Sequence, residues 1–147
     1  MKIFNRLSLI ALITVLVTAC NPAPTPIPPV LGGNNPYAPQ PGDSNMIRGE
    51  VRINTTSLVL AQSQPPQEIV NFDYFQPTIC HKLRVEVSQP DAQNNIKLNA
   101  YAMTEKDKAC AMIAVSTPLK ASLNFGSYPK GHYIVWANNI KVGEFDS

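Results

Sequence analysis

Hydrophobic and polar residues alternate with a period of two over much of the chain. Leu83-Arg-Val85-Glu-Val87, Ile96-Lys-Leu98-Asn-Ala100 and Leu119-Lys-Ala121-Ser-Leu123-Asn-Phe125 each read as a strand with one buried and one wet face. Ile47 to Ile53, Ser57 to Gln62, Glu68 to Phe75 and Ala111 to Ser116 are less regular strand candidates. His132 to Ala137 and Ile140 to Phe145 close the chain, joined by Asn138-Asn139, a pair that tolerates the positive φ of a two-residue hairpin. Pro65-Pro66, Pro77, Pro90-Asp91 with Asn94-Asn95, Pro118, and Pro129 with Gly131 punctuate the series. No long run carries a helical period, and Met103 to Cys110 forms a turn of helix at most. About seven to nine short strands separated by turn signals predict an all-β antiparallel sandwich. That domain is expected to span residues 46–147.

Residues 21 to 45 lack this period. Asn21-Pro-Ala-Pro-Thr-Pro-Ile-Pro-Pro29 places proline at nearly every second position, and glycine, asparagine and further proline follow. Proline fixes φ and removes donors, so the stretch is expected to be an extended tether. Ahead of it, Lys2 and Arg6 flank an apolar run from Leu7 to Val17, the layout of a secretory leader and too short for a permanent bilayer span. Val17-Thr18-Ala19-Cys20 resembles the bacterial lipobox. That resemblance implies removal of residues 1–19, a diacylglycerol on the Cys20 thiol, and attachment to the extracytoplasmic side of a bacterial membrane. Two acyl chains hold stably where one does not.

Loss of the leader changes the charge. Of 12 Lys+Arg and 10 Asp+Glu, Lys2 and Arg6 depart, leaving the mature side chains near neutrality. A nucleic-acid binder would need a basic patch or stripe, which is missing. With Cys20 lipidated, Cys80 and Cys110 remain as a pair in an exported, oxidising setting. A bridge would close a loop of about 30 residues and contribute roughly 3–4 kcal/mol. The competing reading is two free thiols or metal ligands. Adjacent Cys80 and His81 point to opposite faces of a strand, and no second ligand pair accompanies them.

The segment Tyr128-Pro-Lys-Gly131-His-Tyr133-Ile-Val135-Trp-Ala137 resembles the Gly-x-Tyr corner of immunoglobulin-like sandwiches. The resemblance implies that the Tyr133 hydroxyl ties the turn after Gly131 to the backbone, with Val135 pointing inward. Cys80 and Cys110 do not occupy the antibody disulfide positions. Residues 56 to 145 are also similar to small bacterial lipoprotein domains with two cysteines about thirty residues apart and a closing Gly-x-Tyr hairpin. That likeness implies a fold and a location, with no activity attached.

Candidate chemistry is sparse. His81 and His132 are the only imidazoles, and no nucleophile elbow accompanies either. Ten acids are scattered singly, and Asp91 with Asn94 and Asn95 lacks the alternating ligands and closing Glu of an EF-hand, so turn chemistry accounts for it. No cofactor or metal is implied, and the chain is too short for a two-lobed transport receptor. Alternation sends His132, Ile134 and Trp136 to the face opposite Tyr133, Val135 and Ala137, which makes them a candidate binding face. The alternative is an opposite register or a covering loop, with Trp136 as ordinary core. The leading expectation is a non-catalytic envelope module that binds a protein or glycan, or serves as an accessory subunit. A protease inhibitor using loops near Pro77 and Asp91, and a small hydrolase, are the alternatives.

Overall fold

The computed structural model of the chain describes residues 34–107, 110 and 115–147. The expected leader (1–19), the expected lipidation site Cys20 and the proline-rich residues 21–33 lie outside these, as does most of the strand expected at 111–116. Eight strands are present: β1 (Met46–Glu50), β2 (Arg52–Ala61), β3 (Gln67–Phe75), β4 (Lys82–Val87), β5 (Asn95–Glu105), β6 (Leu119–Gly126), β7 (His132–Ala137) and β8 (Ile140–Asp146). They form a five-stranded sheet of β4, β5, β1, β7 and β8 and a three-stranded sheet in the order β2-β3-β6. The fold is therefore the all-β sandwich expected from the period-two pattern. No helix among the described residues is long and apolar enough to cross a membrane.

Boundaries differ from expectation in several places. Ile47 to Ile53 is not one strand: the chain leaves the larger sheet at Glu50, turns at buried Val51 and enters the smaller sheet at Arg52. β2 then runs unbroken to Ala61, its polar Asn54-Thr55-Thr56 stretch absorbed by a register shift between Ile53 and Thr55. Met103 to Glu105 continue β5 in place of the expected helical turn, because they pair with Lys82 on one side and β1 on the other. Val115 and Ser116 carry no regular structure.

The expected tether is docked from Asn35 onward. Tyr37 O accepts a hydrogen bond from Val85 N at 2.8 Å, and Asn35 Nδ2 donates to Val85 O at 3.0 Å, so this segment covers part of the free edge of β4. Tyr37 also packs against the core. A 3₁₀ turn at Pro41–Asn45 follows, and its Asp43 clasps Arg84 through Oδ2–Nε at 2.7 Å and Oδ1–Nη2 at 3.1 Å. The bonds from Arg84 and from Gln40 N hold the Asp43 carboxyl below its usual range. The folded unit thus begins before residue 46.

The larger sheet is unusual along one edge of β5. Residues 95–98 pair in parallel with β7, and residues 101–105 pair antiparallel with β1 on the same edge. Between the two partners, buried Ala100 would be left without a backbone partner. The side chain of Asn138 fills that place: Ala100 N donates to its Oδ1 at 2.8 Å, and its Nδ2 donates to Ala100 O at 2.8 Å and to Val51 O at 3.3 Å. Its own N–H donates to Leu98 O at 3.1 Å. Asn138 takes this position from the β7–β8 turn, where it and Asn139 have φ of 43° and 69°, as expected for the asparagine pair.

Inward residues of the two sheets form one core, centred on Val70, Val85, Ile96, Leu123 and Val135. At one end Phe125, Tyr128, Tyr133 and Phe145 make mutual ring contacts, the closest being Tyr133 on Phe145 at 5.2 Å. The Tyr133 hydroxyl donates to Pro129 O at 3.0 Å, and a Cβ on Gly131 would sit 3.3 Å from the Tyr133 ring, which explains the glycine. Cys80 and Cys110 are disulfide-bonded, with Cα atoms 6.0 Å apart. Among the described residues two buried side-chain oxygens lack a partner, Gln76 Oε1 and Glu68 Oε2, and the acid is the more costly. Glu68 is 1% exposed, its Oε2 has no partner, and burial raises its carboxyl above the ordinary range.

Asn138→Gly keeps the positive φ but removes the amide. It is expected to cost about 2–4 kcal/mol in urea unfolding, since two buried backbone groups lose their partners; a loss under ~1 kcal/mol would mean that the side chain does not close the sheet. Glu68→Gln tests the buried acid. A folded-state pKa raised above the unfolded one penalises the folded state as pH climbs past about 4.5. The variant is therefore expected to match the native chain near pH 4 and to be the more stable of the two at pH 7. Parallel pH profiles for the two chains would remove Glu68 from the account.

Candidate functional site

Alternation along β5 sends Ile96, Leu98, Ala100 and Ala102 into the core and Asn95, Lys97, Asn99 and Tyr101 to the opposite, outer face of the larger sheet. β7 adds Trp136, in register with Lys97, and β1 adds Arg48 and Glu50. Because β1 and β7 end opposite the middle of β5, the outer face is notched there. The result is an open groove of about 1070 Å³ that runs from the Asp91 loop to Arg48, with the Asn138-Asn139 turn at its side.

Two hydrogen-bonded groups set the shape of this groove. At one end Asp91 Oδ1 accepts from Gln93 N at 3.0 Å and Asn95 N at 2.8 Å, and both its oxygens accept from Asn95 Nδ2 at 3.0 Å. These bonds, led by Asn95 N, hold the Asp91 carboxyl below its usual range, so it is a carboxylate at neutral pH. The Asn95 amide thus oriented accepts the indole N–H of Trp136 at 3.2 Å. At the other end Glu86 Oε1 accepts the Tyr101 hydroxyl at 2.9 Å, while Oε2 accepts Asn99 Nδ2 at 3.0 Å. The Arg48 guanidinium lies 3.6 Å from the Tyr101 ring centroid, a cation–π contact that covers the ring. Burial, then the bond to Glu86, raises the Tyr101 hydroxyl above its usual range, which keeps it protonated as a donor. The side chains of Lys97 and Glu50 make no hydrogen bond or ion pair with the described residues.

The expected face is only partly reproduced in this groove. Tyr133, Val135 and Ala137 are buried, so the outward register holds for His132, Ile134 and Trp136. Trp136 is half-buried and lines the groove; it is not core. Ile134 is half-buried beside it, outside the lining, and exposed His132 faces Asp146 Oδ1 at 2.8 Å. Arg48, Glu50, Asn95, Lys97, Asn99 and Tyr101 join the groove without a sequence motif that marks them. The wet face of the Ile96–Ala100 pattern contains Lys97 and Asn99, but nothing local indicates that β7 lies beside it.

The described histidines lie apart from the groove. His81 Nδ1 lies 2.9 Å from Thr78 Oγ1, which is itself 3.1 Å from Cys110 Sγ, and no acid among the described residues bonds to that ring. His132 has an acid partner and no hydroxyl. Neither lines the groove, and among the described residues no three His, Cys, Asp or Glu side chains gather in a way that could hold a metal. No protein-family model, curated protein or solved structure matches this chain.

Trp136 is the chain's only tryptophan, so its emission reports the groove directly. Asn95→Ala frees the indole N–H and is expected to shift that emission to the red and raise acrylamide quenching. The accompanying loss of stability should be about 1 kcal/mol. Unchanged emission would show that Asn95 does not position the ring.

Proposed function

We propose that this chain is a non-catalytic binding or accessory module, held by lipid on Cys20 at the extracytoplasmic side of a bacterial membrane. Its ligand, a protein or glycan of the envelope, seats on the outer face of the larger sheet around Trp136. The observation that carries this reading is the placement of that lone indole, half-buried at an open groove with its N–H committed to Asn95. Tryptophan is on average highly buried, and a ring oriented by a supporting hydrogen bond at a groove is what a binding surface requires. The Tyr133–Pro129 tie supports an immunoglobulin-like relationship for the domain. The anchor rests on Val17-Thr18-Ala19-Cys20 alone.

Immobilised full-length chain exposed to a bacterial envelope extract, beside Trp136→Ala, tests the binding face. The expected result is a component retained by the native chain and lost from the variant. Equal retention by both would move binding away from this groove, and no retention by either would count against a binding module. Release of the chain from membranes on Cys20→Ser would support the lipid anchor; unchanged membrane association would remove it.

A further inference from the structure

We infer that the groove beside Trp136 takes a neutral oligosaccharide, an extended run of uncharged pyranose rings laid along β5. The inference rests on the binding-module reading above and specifies its ligand class.

Four features of the groove point to this class. First, the indole N–H is already bonded to Asn95, so Trp136 offers a ligand carbon surface only. Sugar rings present C–H bonds to such a surface, and hydroxyls at their edges to whatever polar groups flank it. Second, the flanking groups are mixed. Lys97 is donor only, Glu50 and Asp91 are acceptor only, and Asn99, with its Nδ2 bonded to Glu86, retains an acceptor oxygen. A hydroxyl both donates and accepts, so a polyhydroxylated ligand can satisfy this set. A polyanion would press against Glu50 and Asp91, and a polycation against Arg48 and Lys97.

Third, the supporting bonds fix the polar rim before any ligand arrives: Asp91 holds Asn95, and Glu86 holds Tyr101 and Asn99. A pre-ordered rim lowers the entropic cost of binding a ligand through many weak hydrogen bonds. Fourth, β5, the strand that floors the groove, has no free edge. On one side β5 is bonded to β4, and on the other to β7, to the Asn138 amide and to β1. An extended peptide that binds by strand addition needs unpaired backbone groups, and β5 has none to give. The open length from Asp91 to Arg48 suits a chain of sugars better than a small enclosed metabolite.

The test is titration of the full chain with four neutral hexasaccharides, followed by the emission of Trp136. The probes are β-1,4-linked glucose, N-acetylglucosamine and mannose, and α-1,4-linked glucose. A hexamer of galacturonate and an uncharged decapeptide serve as comparisons. Saturable change with at least one neutral hexasaccharide is expected, with weaker or absent response to the comparisons. Lys97→Ala and Glu50→Ala, whose side chains make no hydrogen bond or ion pair with the described residues, should unfold close to the native temperature and bind about ten-fold more weakly by calorimetry, the effect of one lost hydrogen bond. No response to any neutral hexasaccharide at millimolar concentration, or a response confined to the galacturonate or the peptide, overturns the inference. Trp136-dependent capture of a protein together with silent sugars removes the glycan alone and leaves the binding module standing. Silence in both experiments removes both.

Discussion

The fold depends on how one long strand shares its edge between two shorter ones. β5 runs through eleven residues, and neither β7 nor β1 covers that edge by itself. A strand left unpaired at mid-length leaves a part-buried donor and acceptor without partners, which costs free energy. Asn138 resolves this with an amide, the one neutral side chain shape that copies a peptide group in offering a donor and an acceptor together. Its bond to Val51 O adds a second role, because Val51 is where the chain leaves the larger sheet for the smaller. Sheet closure, the sheet change and the hairpin turn therefore meet in a single residue.

The same arrangement makes the groove. If β1 or β7 were long enough to cover β5 alone, the outer face would be a continuous pleated surface and Trp136 would lie in a flat row of side chains. Ending both strands near Ala100 notches the sheet beside the indole. The rim is then fixed by Asp91 and Glu86, neither of which needs the ligand to be ordered. At the far end of this face Tyr101 and Met103 are buried although they point away from the sandwich core, with Arg48 over the Tyr101 ring and the half-buried Asp43–Arg84 clasp on the same face. The segment before β1 is thus part of the domain, and gives the outer face some of its own cover.

Local pattern made the strands legible. Period-two alternation marks β4, β5, β6 and β7 directly, Asn138-Asn139 marks the last turn, and alternation outward from Tyr133 places Trp136 on the correct face. Pairing partners are another matter. A parallel contact between β5 and β7, 39 positions apart in register, leaves no local trace, so Lys97 and Asn99 read as ordinary wet-face residues. Residues 35–45 resemble coil in composition because their order comes from contacts with Arg84 and Val85, made across some forty to fifty positions. Asn138 could be read as a turn residue, since that demand is local; its place in the β5 ladder is set entirely by tertiary structure. Glu68 sits in the inward phase of β3, where the pattern alone would predict an apolar side chain.

A division of labour follows between the groups that build the groove and those that face into it. Asn138, Glu86 and Asp91 are engaged in bonds that shape the sheet or its rim, so changing them disturbs geometry before it disturbs recognition. Lys97 and Glu50 make no side-chain hydrogen bond or ion pair with the described residues, and their charges stand at the surface of the groove, that of Lys97 near enough to favour the Asp91 carboxylate. Side chains that a fold does not use are the ones it can change without loss of stability, and here they flank the indole. A scaffold of this kind holds its aromatic platform constant while its free charges are open to variation. On the proposed binding role, the side chains the sandwich can do without would set the chemistry of the ligand, and those it cannot would set its position.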